Sequence, residues 1–302
     1  MKSKALAETF AGCASEVFLA PGNHDYYSAG APYARLTFPE NVHIFRTQRI
    51  EAVALPELGV RVWGAAFTDS RCPALLWGFS VPKEPGMLDV LCMHAEVGNP
   101  ASAYNAVSAA DLAHSGLDYA AFGHTHRFGG VQRAGGTVYA WPGCMEGRGF
   151  DETGEKGVLL VDVAEGDVQA QFLPVPGRRY EILRVDVTDA DPVQAVLAAL
   201  PEGAARNIFR IVLTGETDRA PNPAALRAAI EGQVFAMQLR DETRARRDLW
   251  ARAGEGTLRG QFLAQLKQKY DAADSDRDRE TIVMAARWGL AALDHDEEVV
   301  TL

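Results

Sequence analysis

Residues 118–126 read Asp-Tyr-Ala-Ala-Phe-Gly-His-Thr-His, an apolar run that ends in a glycine and two histidines. A short, continuous apolar run bounded by turn residues predicts a β-strand buried on both faces. His124 and His126 follow this strand directly, and in α/β proteins ligands gather beyond the carboxyl ends of the strands. The pattern His-x-His is stronger evidence of a site than a single histidine, because a bend after the strand can bring both rings together.

Two other predicted strands end in polar residues of the same kind. Gly22-Asn-His-Asp25 follows the apolar run Glu16–Ala20, and Met93-His-Ala-Glu96 closes the run that begins at Leu88. Taken alone, the first segment is an ordinary turn, and a lone histidine such as His94 is usually a hydrogen-bonded structural residue. Together, and in this order, the three segments predict one site. Because imidazole nitrogens and an amide oxygen can bind first-row metals, a metal site is the chemistry they favour.

The pattern along the chain predicts an α/β protein with layered sheets. Strands are predicted at Glu16–Ala20, Val42–Phe45, Val60–Ala65, Leu88–Met93, Asp118–Phe122, Thr137–Trp141, Gly157–Asp162, Tyr180–Val187, Asn207–Leu213 and Val234–Leu239. Helices are predicted at Ser108–Ala113, Asp191–Leu200, Pro221–Glu231, from Thr257 onward and at Thr281–Leu293, with Asp271–Glu280 as a charged connector. We divide the chain into residues 1–175, an α/β segment at 176–240 and a helical tail at 241–302.

Composition excludes several other classes. The chain has 302 residues, is 47% apolar and carries a net charge of −10, which excludes wholesale disorder and a strongly basic nucleic-acid coat. Its four cysteines form no CxxC pair, so neither a zinc ribbon nor a disulfide framework is indicated. No window is apolar enough for a transmembrane helix and no signal peptide is visible, so we expect a cytoplasmic protein without a membrane anchor. His43, His114 and His295 are interpreted as structural or surface residues.

The three segments resemble the later signature motifs of calcineurin-like metallophosphoesterases. Residues 139–157 resemble the segment that follows the last motif in SbcD/YhaO-like DNA repair exonucleases. The resemblance implies a layered metallophosphoesterase sandwich, incomplete at the N-terminus, as the nuclease domain over 1–175. It also implies a small α/β cap domain at 176–240 and a C-terminal tail that docks on an ATPase.

The resemblance also implies roles for individual residues. One divalent metal would be bound by Asn23, His94 and His124. His126 would bind a second, and manganese is the metal implied for both. His24 would act as general acid or transition-state contact at the leaving oxygen, with Asp25 orienting it. Two metals clamp an anionic phosphodiester and generate hydroxide, and a histidine acid suits departure of a sugar alkoxide near neutral pH.

The sequence departs from the family in its first residues. The family places Asp-x-His and Gly-Asp motifs before Gly22–Asp25, yet residues 1–15 contain neither aspartate nor histidine. The second metal would keep His126 alone, so we expect that site to stay unfilled and two-metal nuclease activity to be weak or absent. We expect a true start upstream of Met1, where the missing motifs would be encoded. The alternative is a degenerate paralogue that keeps only a partner-binding role.

The resulting functional hypothesis is a metal-dependent DNA phosphodiester hydrolase, the exonuclease subunit of a DNA repair complex. The implied partners are DNA, an SMC-like ATPase of the SbcC/YhaN type and a second copy of the chain. Two alternatives stay open: a small-molecule phosphoesterase on the same scaffold, and an inactive scaffolding subunit that binds the ATPase. The basic run at 240–252 is either a solvated face or a phosphate-contacting surface.

Overall fold

The apolar runs become strands in the computed structural model, which describes residues 2–164, 167–175, 177–217, 220–245 and 248–294. The strands are β1 (Val17–Leu19), β2 (Val42–Ile44), β3 (Glu51–Leu55), β4 (Val60–Gly64), β5 (Leu88–His94), β6 (Glu96–Val97), β7 (Ala106–Val107), β8 (Tyr119–Gly123), β9 (Gln132–Ala134), β10 (Thr137–Ala140), β11 (Gly157–Ala164), β12 (Asp167–Pro174), β13 (Tyr180–Asp186), β14 (Ile208–Thr214), β15 (Glu216–Thr217), β16 (Ala236–Asp241) and β17 (Arg244–Ala245). The helices are α1 (Lys2–Ala11), α2 (Pro32–Arg35), α3 (Ala109–Ser115), α4 (Pro192–Ala199), α5 (Pro223–Ile230), α6 (Leu258–Asp271) and α7 (Asp276–Asp294).

The central sheet has six strands in the order β3-β4-β5-β8-β10-β9. The strands β4, β5, β8 and β10 are parallel to one another, and β3 and β9 pair antiparallel at the two edges. Parallel strands place their carboxyl ends at one edge of the sheet. The ends of β5 and β8 therefore lie side by side, and His94 pairs in register with Gly123.

Alternate residues of the central strands fill two separate apolar clusters. Leu91 and Met93 of β5 belong to one cluster, together with Leu112 of α3. Val62 of β4 belongs to the other, where Cys92 of β5 packs against it. Because successive side chains of a strand point to opposite faces, the sheet is covered on both sides. The predicted α/β class is confirmed, and the layered arrangement is consistent with a metallophosphoesterase sandwich.

The loop after β1 is tied to the segment that follows β4. β1 pairs in parallel with β2 in a separate two-stranded sheet. Beyond it, Phe67 donates its backbone N–H to the carbonyl of Pro21, at 2.9 Å, and Tyr27 donates to the carbonyl of Phe67, at 2.7 Å. These bonds bring residues 22–25 to the edge of the sheet where β5 ends.

The chain forms two compact units, each built from several segments. The first comprises Met1–Ile182, Glu202–Arg210 and Gly232–Met237. The second comprises Leu183–Pro201, Ile211–Glu231 and Gln238–Leu302. The predicted boundaries near 175 and 240 stay predictions.

The helices of the second half begin at side-chain caps. Asp191 caps α4 and Pro192 occupies its first turn, as predicted. Thr257 caps α6 through the N–H of Gly260. One prediction here is wrong: the charged connector ends early, because α7 begins at Asp276 within the run 271–280.

Among the described residues, no helix combines the length and the hydropathy needed to cross a bilayer. All four cysteines are free thiols. His295 and two arginines of the basic run, Arg246 and Arg247, lie outside the described residues.

Candidate active site

His94 and His124 meet at the carboxyl edge of the central sheet. His94 is the last residue of β5, and His124 follows the last residue of β8. The Nε2 atom of His94 lies 3.2 Å from Nδ1 of His124. The ring centroids are 5.1 Å apart, with the planes at 76°. Two of the histidines that the sequence predicts to share a site are therefore in direct contact.

Two glycines leave room for the His94 ring. A Cβ atom added to Gly22 would lie 2.6 Å from Cε1 and 2.9 Å from Cγ of His94. A Cβ added to Gly123 would lie 3.1 Å from Nδ1 of the same ring. The ring also packs against Phe67 in a T-shaped arrangement, with centroids 5.1 Å apart. Gly22 and Gly123 each begin a motif, and at both positions a side chain would collide with the His94 ring.

The backbone of His124 adopts an unusual conformation. Its φ angle is +109°, in a region that residues with a Cβ rarely adopt. Such strain persists only where the surrounding structure enforces it, and it is concentrated at functional sites. His124 follows the end of β8 directly, and its Nδ1 lies 3.2 Å from Nε2 of His94.

Trp141 ties the two histidine-bearing strands together. Its indole Nε1 donates to the carbonyl of Ala95, at 3.2 Å, and to the carbonyl of Gly123, at 3.1 Å. Trp141 itself is buried. The bifurcated bond fixes the spacing of the chain ends that carry the two imidazoles.

This arrangement predicts a measurable role for the Trp141 indole N–H. We expect Trp141→Phe to lower the free energy of unfolding by about 1–2 kcal/mol, because two carbonyls lose a shared donor. Guanidinium unfolding measures the change. The matched control is Trp77→Phe, since Trp77 is 83% exposed and surface changes usually stay within about 0.5 kcal/mol. Equal stability of the two variants would contradict the role given to Trp141.

Burial favours the neutral forms of His94 and His124. It lowers the pKa of His94 to about 4, with His124 beside it adding to the effect. Burial also lowers the pKa of His124, which the nearby carboxylate of Glu96 opposes. His24 and His126 also act on both rings electrostatically. Neutral imidazoles present lone pairs that can bind a cation or accept a proton.

Asp25 and His24 lie near this pair, and both act electrostatically on His94. Asp25 accepts a hydrogen bond from the backbone N–H of Gly22, at 2.8 Å, and another from the hydroxyl of Tyr33. Within the described part of the chain no hydrogen bond joins Asp25 to His24. The exposed imidazole of His24 is open to solvent, and its orientation by Asp25 stays a prediction.

His126 is held by a carboxylate that the sequence did not single out. Its Nδ1 lies 2.6 Å from Oε1 of Glu152. Glu152 also accepts from the backbone N–H of Arg148, which is the main reason that its pKa lies below the usual range. Both His126 and Glu152 line a cavity of about 670 Å³. Glu96, near His124, is a second carboxylate without a predicted role.

The metal ligands implied by the resemblance fit only in part. A nitrogen separation of 3.2 Å suits two imidazoles on one first-row cation, since metal–nitrogen bonds of about 2.0–2.1 Å in tetrahedral geometry place ligands about 3.3 Å apart. However, no three His, Cys, Asp or Glu side chains of the described residues converge as a metal site. The donor set therefore fits one pair of imidazole ligands and falls short of a two-metal centre, and no catalytic step through a metal follows from it. The roles of Asn23, His94, His124 and His126 as ligands stay predictions.

The predicted basic surface is only partly described. Arg240 and Arg244 are exposed. Arg252 pairs with Glu255 at 2.7 Å. A contact between this run and DNA stays a prediction.

The fold and the paired strand-end histidines define a class, that of α/β proteins consistent with the metallophosphoesterase sandwich. A curated relative points to the same class. The chain is 31% identical over 203 residues to the uncharacterized metallophosphoesterase YhaO of Bacillus subtilis (strain 168). The aligned segment is 61% of this chain and 46% of the relative, so the chain spans about half the length of the relative that it matches. This similarity is consistent with the metallophosphoesterase family, whereas no family model matches the chain.

Proposed function

We propose that this chain supplies the histidine-bearing part of a site that hydrolyses DNA phosphodiesters, as in SbcD/YhaO-like exonuclease subunits of DNA repair complexes. The observation that carries the proposal is the close pair of imidazole nitrogens of His94 and His124 at the carboxyl edge of a parallel sheet. The 31% identity to a metallophosphoesterase supports it. Divalent cations, manganese first, are the cofactors we propose.

The proposed chemistry assigns separate tasks to the chain's own residues. The lone pairs of His94 and His124 would hold a divalent cation, which would offset the negative charge of the reacting phosphate. The exposed imidazole of His24 is free to give a proton to the departing sugar oxygen, a step that typically contributes about 10²–10⁴-fold to the rate. Because the described residues provide few ligands for cations, we propose that turnover by this chain alone is weak.

A hydrolysis assay tests the proposal. The purified chain is incubated with manganese and either linear duplex DNA or bis(p-nitrophenyl) phosphate, a small phosphodiester. We expect slow turnover of both substrates that EDTA abolishes. His24→Ala should lower cleavage of DNA about 100-fold, and should lower cleavage of the small diester much less, because p-nitrophenolate departs without a proton. The matched control is His114→Ala, because His114 is exposed and bonds only within its own helix, to the carbonyl of Ala110 at 2.7 Å.

Each outcome of this assay selects one hypothesis. The absence of manganese-dependent, EDTA-sensitive turnover on both substrates contradicts a hydrolase. Turnover near a typical enzyme rate of about 10 s⁻¹ contradicts the weak activity we propose. Cleavage of the small diester but not of DNA favours the small-molecule phosphoesterase.

One surface feature favours the scaffolding subunit as the second candidate. Met284 and Trp288 lie four residues apart on α7 and are 57% and 52% exposed. Residues at this spacing share one helix face, which suits docking into an apolar groove. Binding of an SMC-like ATPase without any hydrolysis would favour this role. For the hydrolase we also propose a second copy of the chain as a partner, and a cytoplasmic location.

A further inference from the structure

The loop between β10 and β11, residues 141–156, folds against His126. We propose that Glu152 in this loop is a positioning residue for His126: it holds the proton of the neutral ring on Nδ1 and leaves Nε2 bare. The assignment of His126 to a reacting site rests on the proposed function, whereas the state of its ring does not.

The geometry fixes which nitrogen carries the proton. Nδ1 of His126 lies 2.6 Å from Oε1 of Glu152. An ionised carboxylate can only accept hydrogen bonds, so the ring nitrogen facing it must be the donor. A neutral imidazole has one N–H, which leaves the lone pair on Nε2. Charge-assisted bonds of this kind are roughly twice as strong as neutral ones.

Glu152 is itself held in place. Its side chain is only 11% exposed, although that of His126 is 58% exposed. Oε2 accepts the backbone N–H of Arg148 at 2.8 Å. The thiol of Cys144 lies 3.8 Å from the same oxygen. The carboxylate is therefore fixed in position where it contacts His126.

The backbone of His126 is held by the same loop. Its carbonyl accepts from the backbone N–H of Cys144, at 3.2 Å, and from Nζ of Lys156, at 3.1 Å. Lys156 is buried. Both ends of the histidine, the carbonyl and Nδ1, are thus fixed by residues 144–156, and the bare Nε2 is the atom left to meet a ligand. Partners that orient a functional histidine in this way are commonly worth about 10–100-fold in affinity or activity.

The test measures directly which nitrogen of the His126 ring carries the proton. The full chain, labelled with ¹⁵N at histidine, is examined by long-range ¹H–¹⁵N NMR at about pH 9, above the usual imidazole pKa of about 6.5. The His126 signal is assigned by its absence in His126→Gln. We expect the Nδ1–H form in the wild type. Glu152→Ala and the shorter Glu152→Asp should lose it. Glu152→Gln should lose it as well, because its single oxygen accepts the backbone N–H of Arg148 and its NH2 group then faces Nδ1.

A neighbouring carboxylate provides the matched control. Glu155 lines the same cavity but pairs with Arg179 at 2.7 Å. Glu155→Ala should leave the His126 signal unchanged. An Nε2–H form in the wild type, or an Nδ1–H form that persists in both Glu152→Ala and Glu152→Asp, would overturn the inference.

A parallel hydrolysis assay separates this inference from the proposed function. If the chain hydrolyses phosphodiesters, Glu152→Ala should lower kcat about 10–100-fold, and Glu152→Gln should not recover it. A fixed Nδ1–H form without hydrolysis keeps the inference and overturns the function. If the chain hydrolyses phosphodiesters but the Nδ1–H form of His126 does not depend on Glu152, the inference is overturned and the proposed function is kept.

Discussion

Gly22→Ala should lower manganese-dependent hydrolysis about 100-fold, because displacing a reacting group by about 1 Å can cost that much. The added Cβ would lie 2.6 Å from Cε1 of His94, closer than real Cβ contacts. The ring has little room to move away, since Phe67 packs against it. Moving away from the added Cβ would disturb its contact with Nδ1 of His124. Overpacking should also lower the free energy of unfolding by about 1–3 kcal/mol.

Two other glycines turn this prediction into a graded series. Gly30→Ala is the matched control, because its Cβ would meet nothing closer than 3.8 Å. Gly123→Ala should be intermediate, since its Cβ would lie 3.1 Å from Nδ1 of His94. Hydrolysis of bis(p-nitrophenyl) phosphate and guanidinium unfolding are measured for all three. If Gly22→Ala matches Gly30→Ala in stability, the steric role of Gly22 is wrong whether or not the chain is a hydrolase.

The sequence predicts the strands of the site well because they are short apolar runs. Buried strands such as β5 and β8 need apolar residues on both faces, and this leaves a clear signal. Edge strands do not need apolar residues on both faces, so their sequences carry a weaker signal. β9 is the three-residue stretch Gln132–Ala134, and its polar composition gives no such signal. β3 and β12 were also missed, although Val168, Ala170 and Phe172 of β12 alternate as a half-buried strand should.

The start of α7 was missed although the sequence contains its signal. Ser275 is followed three residues later by Asp278, the pattern of a capping box. In the structure the hydroxyl of Ser275 accepts the N–H of Asp278 at 3.1 Å. Acidic residues at a helix N-terminus are favourable, so the charged run that suggested a connector belongs partly to the helix.

The contacts around the candidate site were harder to predict than its histidines. Four carboxylates, Glu146, Asp151, Glu152 and Glu155, lie in the loop after the last motif. Only the folded loop brings Glu152 to His126 and Glu155 to Arg179. Sequence spacing cannot distinguish among them, because a loop of glycines and acidic residues has no period that fixes which side chain points inward. The hydrogen bond between Tyr33 and Asp25 was unpredictable for the same reason.

Asp89→Ala should be among the most destabilising single changes in the chain, at about 3–5 kcal/mol. Asp89 is fully buried near the start of β5. Its Oδ1 accepts from Nε of Arg61 and from the indole of Trp63, both at 2.8 Å. Arg61 is buried as well, so removing the carboxylate leaves a buried guanidinium without its main counter-charge. Guanidinium unfolding measures the loss.

The rest of the Arg61 environment supplies the control and explains the size of the effect. Arg61 also pairs with Glu84 at 3.0 Å, but that side chain is 56% exposed. Glu84→Ala should therefore cost less than about 1 kcal/mol, because water screens the pair and solvates the partner left behind. The double variant Arg61→Met with Asp89→Leu should recover much of the loss, since an apolar pair leaves no buried charge. A loss for Asp89→Ala no larger than for Glu84→Ala would show that burial does not set the strength of this ion pair.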